Sequence, residues 1–376
     1  MACSELRTTR FPPPVFLLPW LGLALLALSG SAFADEEPVL NFYNWADYIG
    51  PDTLRGFEAE TGIHVNYDVY DSTTVVEAKL LAGQTGYDVV LQAARYSARM
   101  IPLGVFRELD KSRLPGMARL DPWVMQMLQQ YDPGNRFAMP YMWGTTGFIY
   151  NERMIRERMP DAPVDSAAML FDPQVASRFA DCGISLLESA TMVIPMTLLF
   201  LGHDPNSMDP ALLAEAEAQL KKVRPLIRYI SSARMQVDMP GENICIAMAW
   251  SGDVRPARQA VAEAGADVEL AYSVPREGTV LWFDTLVIPA DAPHPDNALR
   301  FLAYLLRPEV IAPISEAIGY GNANLASLPL LDPDFAGDPA AFPPPEVRKR
   351  GHLVFIHDPK AERLRSRAWA RFKTGL

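Results

Sequence analysis

Residues 39–92 read VLNFYNWADYIGPDTLRGFEAETGIHVNYDVYDSTTVVEAKLLAGQTGYDVVLQ. The segments VLNFYNW, IHVNYDV and GYDVVLQ are rich in the apolar, β-branched and aromatic residues typical of strands. Pro51 suits the first turn of a helix, and Gly62 suits its end. Ser72 can cap a second helix, which we expect to end near Gly83. The order strand, helix, strand, helix, strand predicts an α/β fold with a parallel sheet covered by helices.

A second α/β block is predicted after FAMPYMWGTTGFIYN. The segments CGISLLE and NICIAMAW are typical of buried strands, and TVLWFDTLVIP is a further strand followed by the helix NALRFLAYLLRP. The 33 prolines are spread along the chain rather than gathered in one linker. This pattern favours two rigid lobes joined by short crossings.

The N-terminus has the features of a secretion signal. Arg7 and Arg10 precede an apolar run over residues 15–28, and Ala32-Phe33-Ala34 places small residues at a cleavage site. We therefore predict a signal peptide over residues 1–34 that is cleaved after about Ala34; an uncleaved N-terminal anchor is the alternative. The exported chain would then keep about 340 residues, enough for two ordinary domains.

Charge and cysteine content narrow the function classes. A formal net charge of −11 disfavours a nucleic-acid partner, which would require a basic face. Cys182 and Cys245 would face an oxidising compartment, where a disulfide is favoured over two buried free thiols. The five histidines have no metal-ligand spacing relative to either cysteine, so we expect no metal site.

Aromatic and acidic residues recur together near the ends of the predicted strands. These groups are Trp45 with Asp47 and Tyr48, Trp250 with Asp253, Trp282 with Asp284, and the single Tyr320. Aromatic faces attract cations, and carboxylates form charge-assisted hydrogen bonds with ammonium groups. Together they predict a cleft for an aliphatic amine at the carboxyl edge of a sheet. The alternative is that each tryptophan is core and each aspartate a turn residue.

An enzymatic alternative is a hydrolase in which Asp253 and Asp284 act as acid and base. The sequence contains no G-x-S-x-G, H-E-x-x-H, P-loop or G-x-G-x-x-G motif that would support catalysis. We therefore expect a binding protein rather than an enzyme, with no cofactor.

The chain resembles the bacterial periplasmic polyamine-binding proteins of ATP-driven importers, most of all the putrescine-binding type. The resemblance spans the mature chain and is carried by segments such as NFYNWADYIGPDTLRGFEAETGIHVNYDVYDS, FAMPYMWGTTGFIYN, ICIAMAWSGDV and FDTLVIPADA. It implies a two-lobed solute-binding fold, type II, with a central sheet and flanking helices in each lobe. It also implies a Cys182–Cys245 disulfide, a monomeric receptor and an inner-membrane ABC permease as partner. We assign lobe 1 to residues 35–143 plus 282–330, and lobe 2 to residues 144–281 plus 331–376.

The resemblance also implies a set of ligand contacts. These are Trp45, Ala46, Asp47, Tyr48, Ala93, Met192, Trp250, Asp253, Trp282, Asp284 and Tyr320. In this set, Asp284 and Asp47 would hold one ammonium and Asp253 the other, while the aromatic residues would enclose the chain between them.

Some positions depart from the family pattern. Ala93 replaces a serine, and Met192 replaces a glutamate that takes the second ammonium; Glu188 could substitute for it, or Asp253 could suffice through water. Arg95 and Arg255 are also unusual at their positions. These changes leave open a ligand with one amine, such as the ω-amino acids 4-aminobutyrate and 5-aminovalerate. Independently of them, the same fold could act as a sensor that signals its occupancy to a membrane receptor instead of serving transport.

Overall fold

The computed structural model describes residues 36–356 and 359–375, so the predicted signal peptide lies outside the described residues. The strands are β1 Val39–Trp45, β2 His64–Tyr70, β3 Val89–Ala93, β4 Ala138–Asn151, β5 Ile184–Leu186, β6 Ile227–Ile230, β7 Ile246–Trp250, β8 Leu270–Ser273, β9 Thr279–Val287, β10 Gly321–Asn322 and β11 Gly351–Leu353. The helices are α1 Thr53–Thr61, α2 Thr73–Ala82, α3 Ala94–Met100, α4 Pro122–Leu128, α5 Glu152–Arg158, α6 Ala168–Phe171, α7 Pro173–Ala176, α8 Ala190–Phe200, α9 Pro210–Val223, α10 Met235–Asp238, α11 Val254–Glu263, α12 Pro295–Leu305, α13 Pro308–Ile318, α14 Pro333–Ala336, α15 Pro345–Arg348 and α16 Pro359–Thr374. Within these residues, no helix combines the length and hydropathy needed to cross a membrane.

The N-terminal segments form the predicted parallel sheet. Strand β1 pairs in parallel with β2 on one side and with β3 on the other. Helix α1 begins at Thr53, after Asp52 at its N-cap, and ends at Gly62 with φ of 71°. Ser72 occupies the N-cap of α2, but its side chain makes no capping hydrogen bond, so the predicted cap is wrong in that detail. The predicted helix ends at Gly62 and Gly83 are confirmed, whereas β2 and β3 begin one and three residues later than the predicted segments.

Two long strands connect the N-terminal sheet with the second block. Strand β9 runs antiparallel to β3, and it also pairs with the first half of β4, over residues 138–145. The second half of β4, from Thr146, pairs instead with β7 and β8. The strand order is β2-β1-β3-β9-β4-β7-β5-β6. The β4–β9 pair is therefore the structural link between the two regions.

Each region has its own hydrophobic core. One cluster gathers side chains around Phe42, Phe57 and Phe301, which are fully buried. A second cluster surrounds Phe148 and Phe171. A disulfide joins Cys182 and Cys245, just before β5 and β7, and confirms the predicted bridge.

Candidate functional site

Several predicted site residues lie at neighbouring strand positions. Ala93, the last residue of β3, stands opposite Asp284 of β9. Trp250, the last residue of β7, stands opposite Thr146 of β4. Because β4 also pairs with β9, these strands place residues from both hydrophobic regions near one another.

The first carboxylate of the site is Asp284. The Tyr48 hydroxyl donates a hydrogen bond of 2.9 Å to its Oδ2. Burial raises the pKa of Asp284 to about 6, although the Tyr48 hydroxyl and the positive charge of Arg95 act in the opposite direction. The Tyr48 main chain is itself held, because its carbonyl oxygen accepts a 3.0 Å hydrogen bond from the Tyr141 hydroxyl. Tyr48 therefore presents its hydroxyl to Asp284 from a fixed position.

The second carboxylate is Asp253, which ends a 3₁₀ turn directly after β7. Its Oδ1 accepts a hydrogen bond of 3.2 Å from the Tyr320 hydroxyl, and its Oδ2 accepts one of 3.0 Å from the Trp250 backbone N–H. The residue is only 8% exposed. Burial raises the pKa of Asp253 to about 7, and the two hydrogen bonds offset part of that effect.

Aromatic rings connect the two carboxylates. The Tyr320 ring meets the Tyr48 ring edge to face at 5.6 Å between centroids and meets Trp282 at 5.0 Å. The Trp282 Nε1 donates a hydrogen bond of 3.2 Å to the Thr145 carbonyl oxygen, which fixes the indole plane. Asp284, Tyr48, Tyr320 and Asp253 thus form a continuous chain of contacts, with Trp282 packed beside it.

Two glycines that sequence reasoning missed make room for these rings. A Cβ on Gly252 would lie 2.0 Å from the Tyr320 ring, and one on Gly144 would lie 2.5 Å from the Trp282 ring. Both distances are far below van der Waals contact, so any larger residue would displace an aromatic side chain. A glycine inside a long strand such as β4 is a sequence signal for a close approach of this kind.

Three further predicted site residues lie at the end of β1 and in the turn that follows it. Trp45 is partly buried and packs on Tyr70 with 4.5 Å between ring centroids. Ala46 and Asp47 are exposed, and Asp47 has φ of 53°, in the left-handed region. Aspartate tolerates this conformation better than most residues do.

Helix α8, which follows β5, carries Met192 at the position where the family resemblance implies a glutamate. Met192, on α8, is 1% exposed within the second hydrophobic cluster. Its Sδ accepts a 3.3 Å hydrogen bond from the Thr146 hydroxyl. Glu188 forms an ion pair with Lys373, so its carboxylate is already engaged.

Arg255, the other arginine that is unusual at its position, lies on α11. Its guanidinium lies over the Phe335 ring at 4.8 Å.

The arrangement suits binding of a cation. Two partly or fully buried carboxylates accept hydrogen bonds, and the rings between them offer π faces. Across residues 36–356 and 359–375, no group of three or more histidine, cysteine, aspartate or glutamate side chains is placed to hold a metal ion.

Comparisons with known proteins show the family of the chain and agree with its fold. Residues 53–343 match the family described as bacterial extracellular solute-binding protein. The chain is 43% identical to the putrescine-binding periplasmic protein PotF of Escherichia coli strain K12, over 94% of this chain and 96% of PotF. It is 41% identical to the putrescine-binding periplasmic protein SpuD of Pseudomonas aeruginosa strain UCBPP-PA14, over 94% and 98%. The solved spermidine/putrescine ABC transporter substrate-binding protein PotD from Streptococcus pneumoniae superposes with a TM-score of 0.76 at 32% identity, over 90% of this chain and 99% of PotD.

Proposed function

Because this chain belongs to the bacterial extracellular solute-binding proteins, we propose that it captures a polyamine, putrescine or spermidine, and delivers it to an ABC importer. The observation that carries this proposal is the pair Asp253 and Asp284, each held by a tyrosine hydroxyl and linked through the edge-to-face contact of those two tyrosine rings.

The chemistry of the two carboxylates supports the proposal. Each ionised aspartate can accept charge-assisted hydrogen bonds from one ammonium. Such hydrogen bonds are about twice as strong as those between neutral groups. The faces of Tyr48, Tyr320 and Trp282 can cover the methylene groups and stabilise the nearby positive charges. Trp45, Trp250 and the exposed Asp47 complete the proposed set, with Ala46 and Ala93 beside them. Met192 would contribute apolar packing instead of the acid that the family resemblance implies at this position.

The names of the relatives support a periplasmic location and an ABC permease as partner. PotF and SpuD are named as putrescine-binding periplasmic proteins, and PotD as the substrate-binding protein of an ABC transporter. We infer a periplasmic location, a cleaved signal peptide over residues 1–34, a monomeric receptor and an inner-membrane permease as partner. Binding without bond-making fits the transport function of these relatives better than hydrolysis does.

We also propose two lobes that close over the ligand. The boundaries at 143/144 and 281/282 fall at adjacent positions of the β4–β9 ladder, where Trp143 pairs with Phe283 and Gly144 with Trp282. Strands β4 and β9 both pass from one proposed lobe to the other at this point. They can act as a hinge, because few backbone dihedrals must change for the lobes to rotate. Tyr320 of lobe 1 would then contact Asp253 of lobe 2 in the closed state.

Calorimetry on the ligand-stripped protein tests the proposal directly. We expect putrescine or spermidine to bind and to be recovered unchanged. Failure of both amines to bind would overturn the proposed function, and turnover of the ligand would restore the hydrolase alternative. Binding of 4-aminobutyrate or 5-aminovalerate alone would move the ligand class to the ω-amino acids.

A further inference from the structure

Arg95 brings a positive charge to the edge of the proposed amine site. It is the second residue of α3, which begins directly after β3. The last residue of β3, Ala93, stands opposite Asp284. The positive charge of Arg95 acts on this carboxylate. It lowers the pKa of Asp284, whereas burial raises it.

The Arg95 guanidinium has no ionic partner in the described part of the chain. It lies over the Tyr96 ring with Cζ 4.7 Å from the centroid, and one terminal nitrogen donates a 3.3 Å hydrogen bond to the Thr191 hydroxyl. Its Nε is buried without a hydrogen-bond partner. Arg99, one turn later on the same helix, is instead paired with Glu77. The charge of Arg95 is therefore less compensated than that of its neighbour.

On the α8 side of Arg95, the part of the chain that the structure describes supplies no unpaired acid to a ligand. Thr191 is followed by Met192, which is buried in the hydrophobic cluster. Glu188, the acidic residue just before α8, is paired with Lys373. An ammonium placed in this corner would face a guanidinium and a hydroxyl rather than a carboxylate.

We propose that Arg95 is a specificity-determining residue that disfavours a third ammonium, so that the cleft prefers a diamine to a triamine. This inference rests on the proposed function. Asp253 and Asp284 supply one carboxylate for each end of a diamine. A triamine adds one more positive charge to a site that already contains a guanidinium without a salt-bridge partner among the described residues, and like charges in a partly buried site repel strongly.

Charge-graded variants at position 95 test the inference. Calorimetry at low ionic strength would measure putrescine and spermidine binding to the wild type and to Arg95→Lys, Arg95→Gln and Arg95→Glu. We expect the preference for putrescine over spermidine to fall on the order of ten-fold in Arg95→Gln, further in Arg95→Glu, and to persist in Arg95→Lys. Thermal melting of each variant would verify that it folds.

Two control variants separate charge from contact. Arg99→Gln removes an equal charge from the same helix, but one that Glu77 already compensates, and should leave the preference unchanged. Thr191→Val removes the hydroxyl that accepts the Arg95 hydrogen bond and should leave the preference largely intact.

The possible outcomes are distinct. If both amines bind and Arg95→Gln leaves their affinity ratio unchanged, this inference fails while the proposed function stands. If Arg95→Lys behaves like Arg95→Gln, packing rather than charge sets the preference, and the inference is overturned. If neither amine binds the wild-type protein, the proposed function fails and this inference falls with it.

Discussion

Burial and hydrogen bonding have opposite effects on the pKa values of Asp253 and Asp284. Asp253 is buried and Asp284 is partly buried, and each accepts at least one hydrogen bond that stabilises its ionised form. Burial dominates in both, which raises their pKa values to about 7 and about 6. Below about pH 6 for Asp284 and about pH 7 for Asp253, the ligand-free site therefore holds protons that a bound ammonium should displace.

Amine affinity should rise with pH between about 5.5 and 7.5. Alkyl ammonium groups remain protonated over this range, whereas Asp284 and Asp253 ionise across it, so binding releases protons. We expect an increase on the order of ten- to a hundred-fold, measured by calorimetry at several pH values. Asp253→Asn should remove the part of the increase near pH 7. A flat profile for the wild type would contradict the assignment of these carboxylates as amine ligands.

Removing one carboxylate should weaken binding strongly. In Asp284→Asn the ammonium would lose its ionic partner inside a desolvated site, and we expect about a 100-fold loss of putrescine affinity. Asp161→Asn is the matched control, because Asp161 is exposed and lies outside the proposed ligand-binding set. The anchor assignment would be wrong if Asp284→Asn bound putrescine as tightly as Asp161→Asn.

At the scale of elements, the turn after β7 controls the position of an aromatic ring. Gly252 allows the Tyr320 ring to approach so closely that its hydroxyl reaches Asp253. Gly252→Ala should displace Tyr320 from both Asp253 and Trp282 and lower putrescine affinity at least ten-fold. Gly337→Ala, at a negative φ outside the site, serves as the control. Unchanged affinity in Gly252→Ala would show that Tyr320 does not contribute to the site.

The disulfide joins the beginnings of two strands in the second region. Cys182 and Cys245 are separated by 63 residues, and closing a loop of this length stabilises the fold by about 4 kcal/mol in the chain-entropy model. Replacing both cysteines with alanine should lower the free energy of unfolding by about that amount, measured in denaturant. The wild type in a reducing agent should behave like the double variant. Equal stability of the oxidised and reduced proteins would contradict this expectation.

The sequence predicted the elements better than the contacts between them. Alternation and turn residues were sufficient to predict β1, β2 and β3 in their parallel order, because period and capping are local properties. The environment of Met192 was not predictable, because which face of α8 is buried depends on distant strands. The close approach of Gly252 to Tyr320 likewise joins residues far apart in sequence.

At the scale of the whole molecule, the two buried carboxylates should govern closure. If the proposed lobes close around an empty site, Asp253 and Asp284 lose water without gaining an ammonium, and an ionised carboxylate in that state is costly. Their raised pKa values mean that the closed state favours the protonated acids. Stability of the closed, ligand-free state is therefore present at low pH and is lost as pH rises through about 6 and about 7.

Small-angle scattering can test this coupling. We expect the ligand-free protein to be more compact at pH 5 than at pH 8, and putrescine to restore the compact form at pH 8, because its ammonium groups replace the missing protons. The double variant Asp253→Asn with Asp284→Asn cannot ionise at these positions, so it should stay compact at both pH values without ligand. Identical scattering of the ligand-free wild type at pH 5 and pH 8 would show that the buried carboxylates do not control closure.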